Sequence, residues 1–228
     1  MEKIYEMLQL QNELNTDTNG ANWRSRITKN GKPINWKRCI YMESAELIDS
    51  FPWKHWKSID AKPDYENIKI ELVDIWHFLM SYLLEQNGLA EAATMISNTK
   101  DTKNDIKLPK EWDRELNEKI DQFLDIFEEL MALSLIKSDA KELQEELLIA
   151  FFKACDSADL TFDDLYRLYI GKNALNQFRQ EHGYKEGTYI KEWGGKEDNV
   201  VMQEILEAHP NITYTELKEE LERRYPTP

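Results

Sequence analysis

The sequence predicts an all-α protein, a helical bundle, and three observations carry that prediction. Glycine and proline are scarce, 8 and 7 among 228 residues, which favours helices over sheets. Apolar residues recur at helical spacing through most segments that lie between polar runs. Helix starts carry capping signals: Thr161-Phe-Asp-Asp, and Thr213-Tyr-Thr-Glu216 with the pattern of a capping box. The length allows one large domain or two small ones, and the reading is a single domain over residues 1–228.

The first element, residues 2–15, turns Ile4, Met7, Leu8, Leu10 and Leu14 inward. Gln11 and Asn15 fall on the same face as Ile4 and Leu8. An unpaired buried amide costs about 1–3 kcal/mol, so these two need partners, either neighbouring backbone or the edge of a planar polar ligand. A turn-rich loop with Asn19-Gly20 and Asn30-Gly31 follows. KRCIYMESAELIDSF is then an amphipathic helix, with Ile40, Tyr41, Leu47, Ile48 and Phe51 opposite Glu43, Glu46, Asp49 and Ser50. Pro52 and Pro63 bound a segment holding Trp53, His55 and Trp56, aromatic groups that either pack on the bundle or stack on a base.

NIKIELVDIWHFLMSYLLE is apolar nearly all round, except for Glu71, Asp74, His77, Ser81 and Glu85, which predicts a central helix. Residues 86–110 show little periodicity beyond Leu89 to Ile96 and read as a variable connection. Helices are predicted over 111–137, over 139–155, and from Thr161 to a stop at Gly183. Residues 183–199 carry Lys185, Lys191 and Lys196 among glycines, the composition of a mobile basic flap over an anionic ligand. Residues 200–225 return to helix with a break at Pro210.

Chemistry concentrates in two pairs, Glu43-x-x-Glu46 and Glu71-x-x-Asp74. Residues three apart share a helix face, so each pair projects two carboxylates together. If the stripes face each other, each pair of charges repels by roughly 1 kcal/mol in water and about 4 kcal/mol at an effective dielectric near 20. Such a cluster needs a cation, and its hard oxygen donors favour Mg²⁺ or Mn²⁺ over zinc or copper. The alternative is two solvated helix faces. Lys172, Asn176 and Arg179 recur at i, i+4 and i+7 and share one face, suited to phosphate oxygens or to salt bridges with the excess acids.

A formal charge of −14 argues against a phosphate-tracking nucleic-acid binder. Cys39 and Cys155 form no paired spacing, which fits a reducing cytoplasm. MEKIYEMLQLQ lacks a cationic start before an apolar core and no run of about 18 apolar residues occurs, so no membrane association is expected.

YMESAELIDSFPWKHWK, IKIELVDIWHF and YIGKNALNQFRQEHGYKEGTY with its continuation W-G-G-K-E-D-N together resemble the dimeric dUTPases of the all-α nucleoside triphosphate pyrophosphohydrolase superfamily. The resemblance implies a bundle around a four-helix core, a homodimer, and hydrolysis of dUTP, with dUDP as a second substrate, to dUMP by water attack at the β-phosphorus. It implies Mg²⁺ at Glu43, Glu46, Glu71 and Asp74, with Glu46 also positioning or deprotonating the water. Lys172, Arg179, Tyr184 and Lys185 would hold phosphate oxygens, and Asn176 and Asn199 would lie near sugar and phosphates. His77 and Phe78 would border the nucleoside while Gln11 and Asn15 read uracil. Rival readings are a pyrophosphohydrolase acting on dCTP or broadly, a di-iron carboxylate bundle, and a non-enzymatic helical interaction protein. The di-iron reading lacks its second E-x-x-H motif.

Overall fold

The computed structural model describes residues 1–226, and the all-α prediction holds across them. In order they form α1 (Glu2–Asn19), a 3₁₀ turn (Trp23–Ser25), α2 (Trp36–Asp49), α3 (Tyr65–Asn87), α4 (Leu89–Thr99), α5 (Arg114–Asn117), α6 (Asp121–Leu135), α7 (Lys141–Ser157) and α8 (Phe162–Glu181). A two-residue hairpin, β1 (Glu192–Trp193) and β2 (Lys196–Glu197), then leads to α9 (Asp198–Ala208) and α10 (Tyr214–Arg224).

Helix α3 is the axis of the molecule. Leu72, Val73, Ile75, Trp76, Leu79, Met80, Leu83 and Leu84 are all fully buried around its circumference, and α1, α2, α4, α7 and α8 pack against it. Trp76 stacks on Phe151 of α7 at 5.0 Å between ring centroids. At about 25 cal/mol per Å² of apolar surface removed from water, such a helix anchors the core.

Contacts along α3 fix the directions of its neighbours. Trp36 of α2 stacks on Phe78, while Asn67 Nδ2 donates to Ser50 Oγ at 2.8 Å, so α2 runs antiparallel to α3. Trp76 Nε1 meets Met7 Sδ at 3.4 Å and Gln11 Nε2 donates to Ser81 Oγ at 3.0 Å, so α1 runs parallel. Tyr169 lies on His77 and Lys172 on Asp74, so α8 runs antiparallel. The polar stripe of α3 therefore lies among α1, α2 and α8.

Capping matches the sequence signals. Asn35, Asp64 and Thr161 each accept a backbone N–H at the start of α2, α3 and α8, and Thr213 with Glu216 closes a full capping box on α10. Each such cap contributes about 1 kcal/mol.

Several local expectations differ from the structure. Residues 86–110 are not wholly a connection, because Leu89–Thr99 forms α4 and buries Ala92, Ala93, Met95 and Ile96. Alanines give so short an apolar face that its periodicity is weak in sequence, yet they allow close helix approach. The helix expected over 111–137 is broken between Asn117 and Asp121. Trp53 and Trp56, read as packing on the bundle or stacking on a base, are 38% and 62% exposed and meet edge to face.

The C-terminal part builds its own apolar cluster, in which Leu175, Phe178, Trp193, Met202, Ile205, Leu217 and Leu221 are buried. Its hairpin turns through Gly194 and Gly195 at φ 61° and 84°, the left-handed pair that a two-residue hairpin loop requires. Trp193 is 4% exposed and donates to Ile190 O at 2.7 Å, which pins the segment expected as a flap to this cluster.

Candidate active site

Helices α2 and α3 bring Glu43, Glu46 and Glu71 together: one carboxylate oxygen from each lies within 4.8 Å of the others. The spacing of three residues sets Glu43 and Glu46 on one face of α2, and the antiparallel packing sets Glu71 opposite them. Glu71 is buried, Glu43 half-buried and Glu46 exposed. Burial first, and then the charges of Asp74, Glu46 and Glu71, push the Glu43 carboxyl up to about 8. Burial, with Asp74 and Glu46, pushes Glu71 up to about 7, although Asn67 Nδ2 donates to its Oε1 at 3.1 Å. Three oxygen donors converging at mutual electrostatic cost fit a hard divalent cation.

Asp74 lies close enough for its charge to act on Glu43 and Glu71, and it is ion-paired. Its Oδ2 lies 2.8 Å from Lys172 Nζ, and the lysine is itself 4% exposed. The fourth acid of the cluster, whose charge acts on both Glu43 and Glu71, is thus paired with a cation from α8. Lys172 also donates to Asn199 Oδ1 at 3.0 Å.

Arg179 is paired as well. Its Nε and one terminal nitrogen each donate at 2.8 Å to the two oxygens of Asp198, a residue with 0% exposure that also accepts from Tyr189 Oη at 2.8 Å. The Arg179 pair and the Tyr189 and Asn199 hydrogen bonds outweigh burial and hold Asp198 below the ordinary carboxylate range. The remaining edge of the guanidinium reaches Asn176 Oδ1 at 3.1 Å and Asn199 Oδ1 at 3.4 Å. One amide oxygen, that of Asn199, therefore accepts from both cations.

Tyr184 is exposed with Arg179 5.8 Å from its ring centroid, and Lys185, also exposed, donates to Thr18 O at the end of α1. Asn176, Arg179, Tyr184, Lys172 and Asn199 are thus gathered together, and Lys185 lies at the α1 edge.

Beyond Asp74 along α3 lies His77, 4% exposed. Its Nδ1 is 2.8 Å from Val73 O, which requires the proton on Nδ1, and burial pushes the ring down to about 4. Nε2 is then a lone-pair acceptor, buried and without a hydrogen-bond partner. Phe78 is half-buried on Trp36.

A further turn along, Gln11 and Asn15 are 3% and 4% exposed. Their partners are neighbouring side chains rather than backbone. Gln11 Nε2 donates to Ser81 Oγ and to Asn15 Oδ1 at 3.2 Å, Asn15 Nδ2 donates to Ser81 Oγ at 2.9 Å, and Tyr169 Oη donates to Gln11 Oε1 at 3.1 Å. Asn173 and Tyr214 extend this network to α10.

No motif in the sequence gives a role to Asp198, Tyr189, Ser81 or Tyr169, yet each holds a site residue in the structure. Ser81 lies on the polar stripe of α3, four residues after His77, and Asp198 directly precedes Asn199, so position alone was the available signal.

The polar positions of α3 form a linear series: Glu71, Asp74, His77 and Ser81, with about 15 Å of helix rise from first to last. Acids and cations occupy one end, an unpartnered imidazole the middle, and paired amides the other end. That is the order of polyphosphate, sugar and base in a nucleotide. A family model described as dUTPase matches residues 3–184, while no curated protein matches the chain. The match spans nearly all of α1 to α8, with Glu43, Glu46, the α3 series, Lys172 and Arg179, while Lys185, Asp198 and Asn199 lie beyond it; the chain belongs to the all-α dUTPase family, acting as a dUTP diphosphatase.

Proposed function

We propose that the protein is a single-domain, Mg²⁺-dependent enzyme that hydrolyses dUTP, and also dUDP, to dUMP, with water attacking the β-phosphorus of dUTP and pyrophosphate released. The convergence of Glu43, Glu46 and Glu71 beside Lys172 is the observation that carries this reading. These three acids would hold the ion, with Asp74 joining them when Lys172 turns to phosphate. Bound there, Mg²⁺ or Mn²⁺ would supply neutralisation of the polyphosphate and of charge developing in phosphoryl transfer.

Glu46, the exposed member of the trio, orients the attacking water and accepts its proton in this reading, which its access to solvent supports. Lys172 and Arg179 bind phosphate oxygens in place of the Asn199 amide oxygen, with Asn176, Tyr184 and Lys185 around them. Asp198 and Tyr189 hold the guanidinium so that its far edge faces that site.

His77 Nε2 accepts a hydrogen bond from the nucleoside, which would satisfy an acceptor otherwise buried at a cost of about 1–3 kcal/mol. Phe78 packs beside it. Asn15 keeps one amide N–H uncommitted, a donor for a uracil carbonyl that would oppose the amino group of cytosine. Gln11 orients Asn15 through the bond between their side chains.

A homodimer is the assembly the family resemblance implies, and the exposed side chains of Trp53, Trp56 and Ile59 are apolar surface available to it. The two free cysteines accord with a cytoplasmic protein, and no helix among the described residues is long and apolar enough to cross a membrane.

Pyrophosphate release from dUTP, dCTP, dTTP and UTP, with and without Mg²⁺, tests the proposal. Metal-dependent release confined to dUTP is expected; release without metal, or equal rates for dUTP and dCTP, would overturn it.

A further inference from the structure

A cavity of about 520 Å³ opens beside the acidic trio and is roofed by the loop between α2 and α3. Glu46 and Glu71 of the trio and Lys57 and Lys62 of the loop are all among its lining residues. We propose that this cavity is the seat of the terminal phosphate of the triphosphate, held by Lys57 and Lys62. The inference rests on the reading of the site given above and extends it to a phosphate position not yet assigned.

The first argument is register along α3. Base, sugar and metal positions fall at Ser81, His77 and Glu71, each step toward the N-terminus. A triphosphate continuing in that direction passes Glu71 and reaches Asn67 and Ser50, whose side chains are bonded to each other in the same cavity. Helix α8, antiparallel to α3, carries its phosphate cations from Lys172 to Arg179 toward the same end.

The second argument is charge. The other titratable groups on the cavity wall have partners: Asp49 is paired with Lys54 and accepts from Trp53 Nε1, and Asp64 accepts Asn67 N–H as the cap of α3. Lys57 and Lys62 are exposed and have no carboxylate within ion-pair distance among the described residues. In a chain with 43 acids and 29 bases, two such lysines lining one cavity with two of the clustered carboxylates, Lys57 otherwise acting only at longer range on Asp49, mark an anion position. A phosphate there would be bordered by ammonium groups on one side and the metal-binding acids on the other.

The experiment compares wild-type protein with Lys57→Ala, Lys62→Ala, the double variant and Lys57→Arg. Binding of a non-hydrolysable dUTP analogue and of dUDP is measured with Mg²⁺ by calorimetry, alongside KM for dUTP. Exposed charge pairs contribute up to about 1 kcal/mol, so each alanine is expected to weaken triphosphate binding by about fivefold, and the pair by about twentyfold. Binding of dUDP, which lacks the terminal phosphate, should change by less than about twofold, and Lys57→Arg should restore most of the loss. Equal weakening for both nucleotides would show a loop that matters only structurally, and no change for either would show merely solvated lysines; both results overturn the proposal. Failure of wild-type protein to bind either nucleotide would instead overturn the underlying reading of the site.

Discussion

Glu71→Gln separates the metal-site claim from catalysis. In the absence of cations, Glu71 shares a site with Glu43 and Glu46 at no more than 4.8 Å between oxygens. Two unit charges at that distance repel by about 3.5 kcal/mol at an effective dielectric near 20. The exposure of Glu46 and partial protonation of Glu43 reduce the net effect to about 1–2 kcal/mol. Because the carboxyls of Glu71 and Glu43 are raised to about 7 and about 8, their contribution to stability is complete below the ordinary carboxylate range and is lost as pH rises through those values. In chelator near pH 8, Glu71→Gln should therefore raise the melting temperature by about 2–8 °C, given about 2–4 °C per kcal/mol at this size. Near pH 5 the gain should be several-fold smaller, since Glu71 is neutral there in the folded protein and most of the loss accrues at higher pH. Added Mg²⁺ should reverse the order near pH 8, stabilising wild type and leaving the variant nearly unchanged. Differential scanning calorimetry of both proteins under these three conditions decides it. A lower melting temperature for the variant in chelator near pH 8, or a gain of equal size near pH 5, would refute the reasoning.

Other outcomes follow from the same geometry. Glu46→Gln should keep nucleotide binding and lose about 10²- to 10⁴-fold in kcat, measured by pyrophosphate release. Arg179→Ala leaves the fully buried Asp198 uncompensated and should destabilise the fold by about 3–5 kcal/mol in chemical denaturation, a loss that Asp198→Asn in the same chain largely relieves. Lys172→Ala should weaken binding of dUTP far more than of deoxyuridine, as read by calorimetry. His77→Phe should raise KM for dUTP by about tenfold with little loss of melting temperature, because it removes an acceptor that has no partner within the protein.

The helices and the metal carboxylates were legible in sequence because both depend on local spacing. Glu43, Glu46 and Glu71 needed only the three-residue repeat and the apolar ring of α3 to be placed together. Helix α4 was obscured because Ala92 and Ala93 pack by being small, which leaves little periodic signal. The states of Lys172 and Arg179 were not legible at all. Spacing gave equal weight to phosphate contacts and to salt bridges, and the structure shows both cations held by carboxylates, Asp74 and Asp198, from other helices. Gln11 and Asn15 illustrate the same limit: their inward face was readable, while their partners Ser81 and Tyr169 lie 70 and 158 residues from Gln11 along the chain. Pairings of that kind are properties of the tertiary packing. The exposure of Trp53 and Trp56 is likewise set by the loop between Pro52 and Pro63, where composition alone left packing on the bundle and stacking on a base both open.

Hydrolysis of dUTP in ¹⁸O-labelled water, followed by phosphorus NMR of the products, tests the proposed chemistry most directly. Water positioned by Glu46 and attacking the β-phosphorus places the label in pyrophosphate and leaves dUMP unlabelled, with turnover only when Mg²⁺ or Mn²⁺ is present. Label in dUMP, or undiminished turnover in chelator, would contradict the account.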